Sequence, residues 1–137
     1  MTLQTLGVLL VAGIGGVRIG VGASALYLLL ILLGLPILAA GSAAPGRAFL
    51  ELKSAGYVIG FLPAAYACSF SGRKFLGARF RGSRFVGTLA IMLLAHAIIL
   101  AVGVAWLSRY VGLESAIEHG ARPFLEAALI KSILAGL

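Results

Sequence analysis

Between Ile19 and Ala40, and again between Phe85 and Ser108, the chain carries no charged side chain. A helix rises about 1.5 Å per residue, so either stretch can cross a bilayer core of about 30 Å, which takes roughly 20 apolar residues. Of the 137 residues, 11% are charged and 61% hydrophobic, against about 25% charged in an average soluble domain. That is too little polar surface to cover a globule in water. A membrane is the expected solvent, and the length allows at most about five or six spans. The expected fold class is all-α: a polytopic membrane helical bundle forming a single integral membrane domain over residues 1–137.

Hydropathy predicts five segments, at about 3–17, 19–40, 55–70, 85–108 and 123–137. The second and fourth have full span length. The last, from Pro123 to Leu137, reaches only about 22 Å. Pro36, after Gly34-Leu35, is placed to kink or end the second segment. Small residues recur at four-residue spacing in Gly60, Ala64, Cys68 and in Ala97, Ala101, Ala105. Where lipid removes the hydrophobic drive for helix association, such stripes let backbones approach closely, so both are expected to be packing faces.

The net charge is +7, from 11 Lys or Arg against four Glu and no Asp. In a soluble chain this balance would suggest nucleic acid; here the charges fall between apolar runs and act as topology signals. Residues 71–84 hold five basic residues and no acid, so this stretch is expected to be a cytoplasmic loop by the positive-inside rule. Alternation puts the tight Gly15-Gly16-Val17-Arg18 turn inside as well. The N-terminus and the loops 41–54 and 109–122 then face outside. Trp106 and Tyr110 suit an interfacial aromatic belt. The N-terminus has no basic residue ahead of its first apolar run, a poor fit to a cleaved signal peptide.

Catalytic machinery is not expected. Cys68 is the single cysteine, and His96 and His119 lie far apart, so neither a disulfide nor a zinc-type ligand set can form. His96 sits within a span with no acid or nucleophile beside it and is read as a packing hydrogen-bonder. Gly13-Ile14-Gly15-Gly16 lacks the Lys-Ser/Thr of a phosphate loop. No enzyme activity and no cofactor are expected.

What remains is a few polar groups at or inside spans. Gln4 opens the first segment and Ser54 to Tyr57 the third, while Pro123 to Lys131 fills the outer half of the last. In the expected topology all three converge on the outer half, which suits capture of a small, partly polar solute from outside. Lys131 lies about 12 Å into its segment, a depth at which an ionisable group points to function; the alternative is that it snorkels to the interface.

The chain also resembles a known family. Thr2-Leu3-Gln4-Thr5, Val17-Arg18-Ile19-Gly20, Leu26-Tyr27-Leu28-Leu29-Leu30 and Gly34-Leu35-Pro36-Ile37 are similar to stretches of the BioY family. Gly56-Tyr57-Val58-Ile59-Gly60-Phe61, Gly103-Val104-Ala105-Trp106-Leu107 and Pro123-Phe124-Leu125 leading to Lys131 follow in the same order. These are the biotin-binding S components of energy-coupling-factor transporters. The resemblance implies a multi-pass plasma-membrane protein of six helices around an outward-opening pocket, with biotin as ligand. It implies as partners a scaffold protein and two ATPases. The family's first helix would precede Met1, leaving about five spans here. On the matched motifs, Ser54, Gly56, Tyr57 and Lys131 join Gln4 as candidate ligand-binding residues.

Two departures stand out. The family's Gly-Pro-Thr-Gly-Gly-Tyr reads Leu52-Lys53-Ser54-Ala55-Gly56-Tyr57, keeping the hydroxyl, a glycine and the tyrosine. Its Asp-x-x-Lys reads Ala128-Leu129-Ile130-Lys131, which leaves the donor without the acid that would share its helix face. Three readings are open: biotin uptake, an S component for a different small solute, and a non-transporting membrane scaffold or decayed remnant.

Overall fold

The computed structural model describes residues 3–38, 42–76 and 81–124. Among these residues the helical elements are, in order, α1 (Leu3–Leu32), α2 (Arg47–Glu51), α3 (Ala55–Ile59), α4 (Phe61–Leu76), α5 (Arg81–Val111) and α6 (Leu113–Gly120). Among the described residues there is no strand, and the class is all-α as expected.

α1 is two antiparallel arms. Its backbone leaves helical geometry at Gly16, with φ 75° and ψ −178°, a region that glycine enters without the clash of a Cβ. In a straight helix residues 12 and 20 would lie about 12 Å apart. Instead, a Cβ built on Gly20 would sit 2.5 Å from the Ala12 Cα and 2.6 Å from the Ser69 Oγ of α4. The expected turn at Gly15 to Arg18 is therefore a hairpin whose arms touch backbone to backbone. The apolar Gln4–Leu32 run counts as two arms and not one crossing.

The second arm ends earlier than predicted, at Leu32 and not Ala40. Gly34 has φ 93°, and its N–H donates to the Ile31 carbonyl while that of Leu35 reaches back to Leu30. This paired capping by a left-handed glycine closes the helix, and Pro36 then stops it from resuming. The third predicted segment is α3 plus α4. They part at Gly60 because Pro63, lacking an N–H, cannot bond the Ile59 carbonyl.

Two predicted loops are largely helical. The basic stretch 71–84 continues α4 to Leu76 and starts α5 at Arg81, since Arg and Lys are good helix formers and a helix need not end where the hydrocarbon does. α5 is about 46 Å long at 1.5 Å per residue, well beyond the bilayer core, and its Val86–Val111 stretch is apolar enough to cross one. The 109–122 loop is mostly α6, separated from α5 by Gly112 at φ 83°. The 41–54 loop contains α2, anchored by Phe49 at 1% exposure. Of the fifth predicted segment, Pro123 and Phe124 are helical and the rest lies outside the described residues.

Core packing joins α1, α4 and α5 through Leu9, Ala12, Ala64, Cys68, Ala95 and Ile99. The stripe Gly60, Ala64, Cys68 is buried as expected: a Cβ on Gly60 would stand 3.1 Å from the Ile99 Cα, and the Cys68 thiol donates to the Leu9 carbonyl at 3.4 Å. The second stripe is a correction. Ala97, Ala101 and Ala105 are exposed along a shallow apolar groove beside Leu113 and Ile117 of α6. The buried face of α5 is set instead by the larger Ile91, Met92 and Ile99, which share one core with residues of α1 and α4. His96 is buried and its Nδ1 donates to the Met92 carbonyl of its own helix at 2.7 Å.

Candidate ligand-binding site

At the end of the bundle away from the Gly16 turn and the basic α4–α5 end, a cavity of about 280 Å³ opens between α1, α3 and the segment after α1. This is close to the lower end, about 300 Å³, of small-molecule sites. Gln4, Thr5 and Tyr27 line it from α1, Ser54, Tyr57 and Val58 from the start of α3, and Leu38, Ser42 and Leu52 from the connecting segments. Phe61 and Phe124 complete it. None of these residues is charged. The apolar walls suit a hydrocarbon or thioether ring, and the hydroxyl and amide groups offer neutral donors and acceptors.

The hairpin brings Gln4 and Tyr27 together. The two lie nearly equally far from Gly16 along opposite arms. Gln4 Nε2 and the Tyr27 hydroxyl both donate to the Ile37 carbonyl, each at 3.0 Å. Two donors on one carbonyl fix the segment after α1 against the cavity. The Tyr27 ring packs on Phe61, with centroids 6.2 Å apart.

The opposite wall hangs from α5. Trp106 Nε1 donates to the Leu52 carbonyl at 3.1 Å, and one turn on, the Tyr110 hydroxyl donates to Leu50 at 3.1 Å. These carbonyls flank the C-terminal end of α2, where a helix has no partners of its own for its last C=O groups. Arg109 lies over the Trp106 ring at 5.0 Å in a cation–π contact. Trp106 is half-buried, so its part in the fold is to tether a loop and not only to meet an interface. Trp106→Phe should lower stability by about 1 kcal/mol, the net worth of one hydrogen bond, read as a lower melting temperature in detergent. Tyr110→Phe, at an exposed site, should cost less.

Of the predicted site residues, Gln4, Ser54 and Tyr57 line this one cavity. Gly56 does not: a Cβ there would run into the Trp106 side chain, so its place in the structure is a close contact between α3 and α5. Lys131 lies outside the described residues, as does Ala128. Sequence reasoning passed over Thr5, Tyr27, Ser42, Phe61 and Phe124. For Tyr27 a signal existed, since counting outward from the Gly15-Gly16 turn sets it opposite Gln4. Phe61 and Phe124 look like any other apolar residue until the fold places them.

The sequence profile of the BioY family matches residues 1–137. The chain belongs to the BioY family. It is 28% identical over 140 residues to "Biotin transporter BioY" of Rhizobium etli, a match covering 100% of this chain and 74% of that relative. Its fold is similar to the crystal structure at 2.1 Å of the S-component for biotin from an ECF-type ABC transporter. The TM-score is 0.83 at 25% identity, covering 99% of this chain and 71% of that one. As a BioY member the chain is an integral membrane protein and a transport component, not an enzyme.

Proposed function

We propose that this BioY protein is the biotin-binding membrane subunit of a vitamin uptake system, and that biotin occupies the cavity between α1 and α3. The observation that carries the reading is an uncharged cavity whose neutral polar groups come from α1, α3 and the segment between them, in a chain matched to the BioY family along its whole length. Biotin's cyclic urea presents one carbonyl and two N–H groups, complementary to the Gln4 amide and the hydroxyls of Tyr27, Ser42 and Ser54. Its sulfur ring and aliphatic tail suit Phe61, Phe124, Leu38 and Val58. Tyr57 contributes a wall, and Gly56 supports it from behind.

The ligand's carboxylate needs a cation, and no charged residue lines the described cavity. Lys131 is the residue proposed to supply it. Ala128 stands three residues before it in place of an acid, and the ligand carboxylate is the counter-charge proposed for Lys131. The cavity opens to the outside of the plasma membrane, the basic 71–84 stretch lies on the cytoplasmic side, and the whole chain is one membrane domain. A scaffold protein and two ATPases are the proposed partners that drive release inward.

Radiolabelled biotin binding to the purified protein in nanodiscs tests this. Saturable binding at one site is expected, and Lys131→Ala should weaken it by about tenfold or more, from losing a charge-assisted bond of roughly 1.5–3 kcal/mol. No saturable binding by the parent chain would overturn the biotin reading and leave a different small solute, or a non-transporting membrane scaffold, as the reading. Unchanged affinity in Lys131→Ala would take the lysine out of the site.

A further inference from the structure

Tyr57 stands in the cavity wall, yet its hydroxyl points to the protein. It donates to the Gly120 carbonyl at 2.9 Å, at the last residue of α6. The need for this bond follows from how α6 ends. Were the helix to continue, the Phe124 N–H would take the Gly120 carbonyl; it bonds Ala121 instead, at 2.9 Å, so Gly120 needs a donor from elsewhere. The phenol is that donor.

Space around the ring is cleared on two sides by glycine. A Cβ on Gly103 of α5 would run into the ring atoms of Tyr57, and one on Gly120 would lie 2.5 Å from its hydroxyl oxygen. Neither glycine has the positive φ that would require glycine for backbone reasons. A glycine inside a helix costs roughly 0.5–1 kcal/mol against alanine, so the room for the ring is what these positions supply. The ring then meets Phe124 edge-on, centroids 5.8 Å apart at 60°. Phe124 lines the cavity and leads into the segment that carries Lys131.

We propose that Tyr57 is a positioning residue: its hydroxyl latches the end of α6 and so places Phe124 against the ligand cavity. The hydroxyl is not the ligand's hydrogen-bond donor. The proposal rests on the cavity being the biotin site, and its test is arranged so that the two can fail separately.

Three variants are compared with the parent: Tyr57→Phe, Gly120→Ala and the double substitution. In ligand-free protein, hydrogen–deuterium exchange at the Ala121 and Phe124 amides should speed up at least tenfold in Tyr57→Phe. A residue that only touched ligand would leave this rate unchanged without ligand, and an unchanged rate would overturn the proposal. In radiolabelled biotin binding, Gly120→Ala should weaken affinity about tenfold and Tyr57→Phe about threefold. The double variant should recover to the Tyr57→Phe level, because the oxygen that would meet the new methyl is gone. The other neighbour of that methyl, the Leu107 Cδ2 at 2.8 Å, is a terminal group that can turn aside. A double variant weaker than Gly120→Ala, with losses that simply add, would assign the hydroxyl to the ligand and overturn the latch. If the parent binds no biotin, the biotin reading fails and the exchange measurement still decides the latch. If Gly120→Ala does not fold, exchange in Tyr57→Phe decides it alone.

Discussion

Valine at position 20 should cost the fold about 3 kcal/mol, at the upper end of the usual penalty for overpacking. The added carbon would stand 2.5 Å from the Ala12 Cα, 2.6 Å from the Ser69 Oγ and 2.7 Å from the Ala12 Cβ. Backbone cannot rotate away as a side chain can, and Ser69 is held by its own bond to the Ala65 carbonyl at 2.6 Å. The hairpin arms must therefore separate, which also moves Gln4 away from Tyr27 at the far end. The readout is thermal melting in detergent, with a fall of roughly 10 °C or more. Gly22→Val is the control, since nothing lies within 4 Å of a Cβ at Gly22 in the same arm. Equal melting of the two variants would show that the arms are not packed as described.

Gly103→Val should abolish most ligand binding while leaving the helices in place. The new side chain would occupy the volume of the Tyr57 ring, which would have to shift within the wall of the cavity it lines. Biotin affinity should fall about hundredfold, equivalent to roughly 2.8 kcal/mol at 1.4 kcal/mol per decade, with Gly103→Ala intermediate. Ala101→Val, on the exposed face of the same helix, should bind as the parent does. Parent-like binding in Gly103→Val would mean that the Tyr57 wall does not shape the site. Equilibrium binding of radiolabelled biotin, with circular dichroism to confirm helix content, makes the measurement.

These glycines show the limit of reading stripes from sequence. Gly60, Ala64, Cys68 and Ala97, Ala101, Ala105 have the same spacing and similar sizes, yet the first is buried and the second exposed. Four-residue spacing states that residues share a face; it does not state which face has a neighbour. The neighbour of α5 is chosen by how Ile91, Met92 and Ile99 fill the space against α1 and α4. In the same way, Gly56 and Tyr57 are adjacent in sequence and read as one ligand motif. The turn of α3 sends one to Trp106 and the other to the cavity.

Charge likewise marked positions better than conformation. The absence of charge located the core of α5, and Gly15-Gly16 located the hairpin. Basic residues at 71–84 suggested a loop only because charge and turn often coincide in membrane proteins; Arg and Lys sit readily in helices, and α4 and α5 run on through much of that stretch. Loop 109–122 gave way to α6 for a related reason: a single glycine with positive φ is enough to break and restart a helix.

The sequence by itself determined the solvent, the helical class, the hairpin turn and the membership of the BioY family, because these depend on local periodicity, on the absence of charge and on ordered motifs. Tertiary structure alone decided that Gln4 faces Tyr27 across a shared Ile37 carbonyl, that the alanine stripe of α5 is left open, and that Tyr57 bonds Gly120 rather than pointing its hydroxyl freely into the cavity. Each of those is a contact between residues distant in the chain, set by which backbones can come close, and spacing along one helix does not encode it.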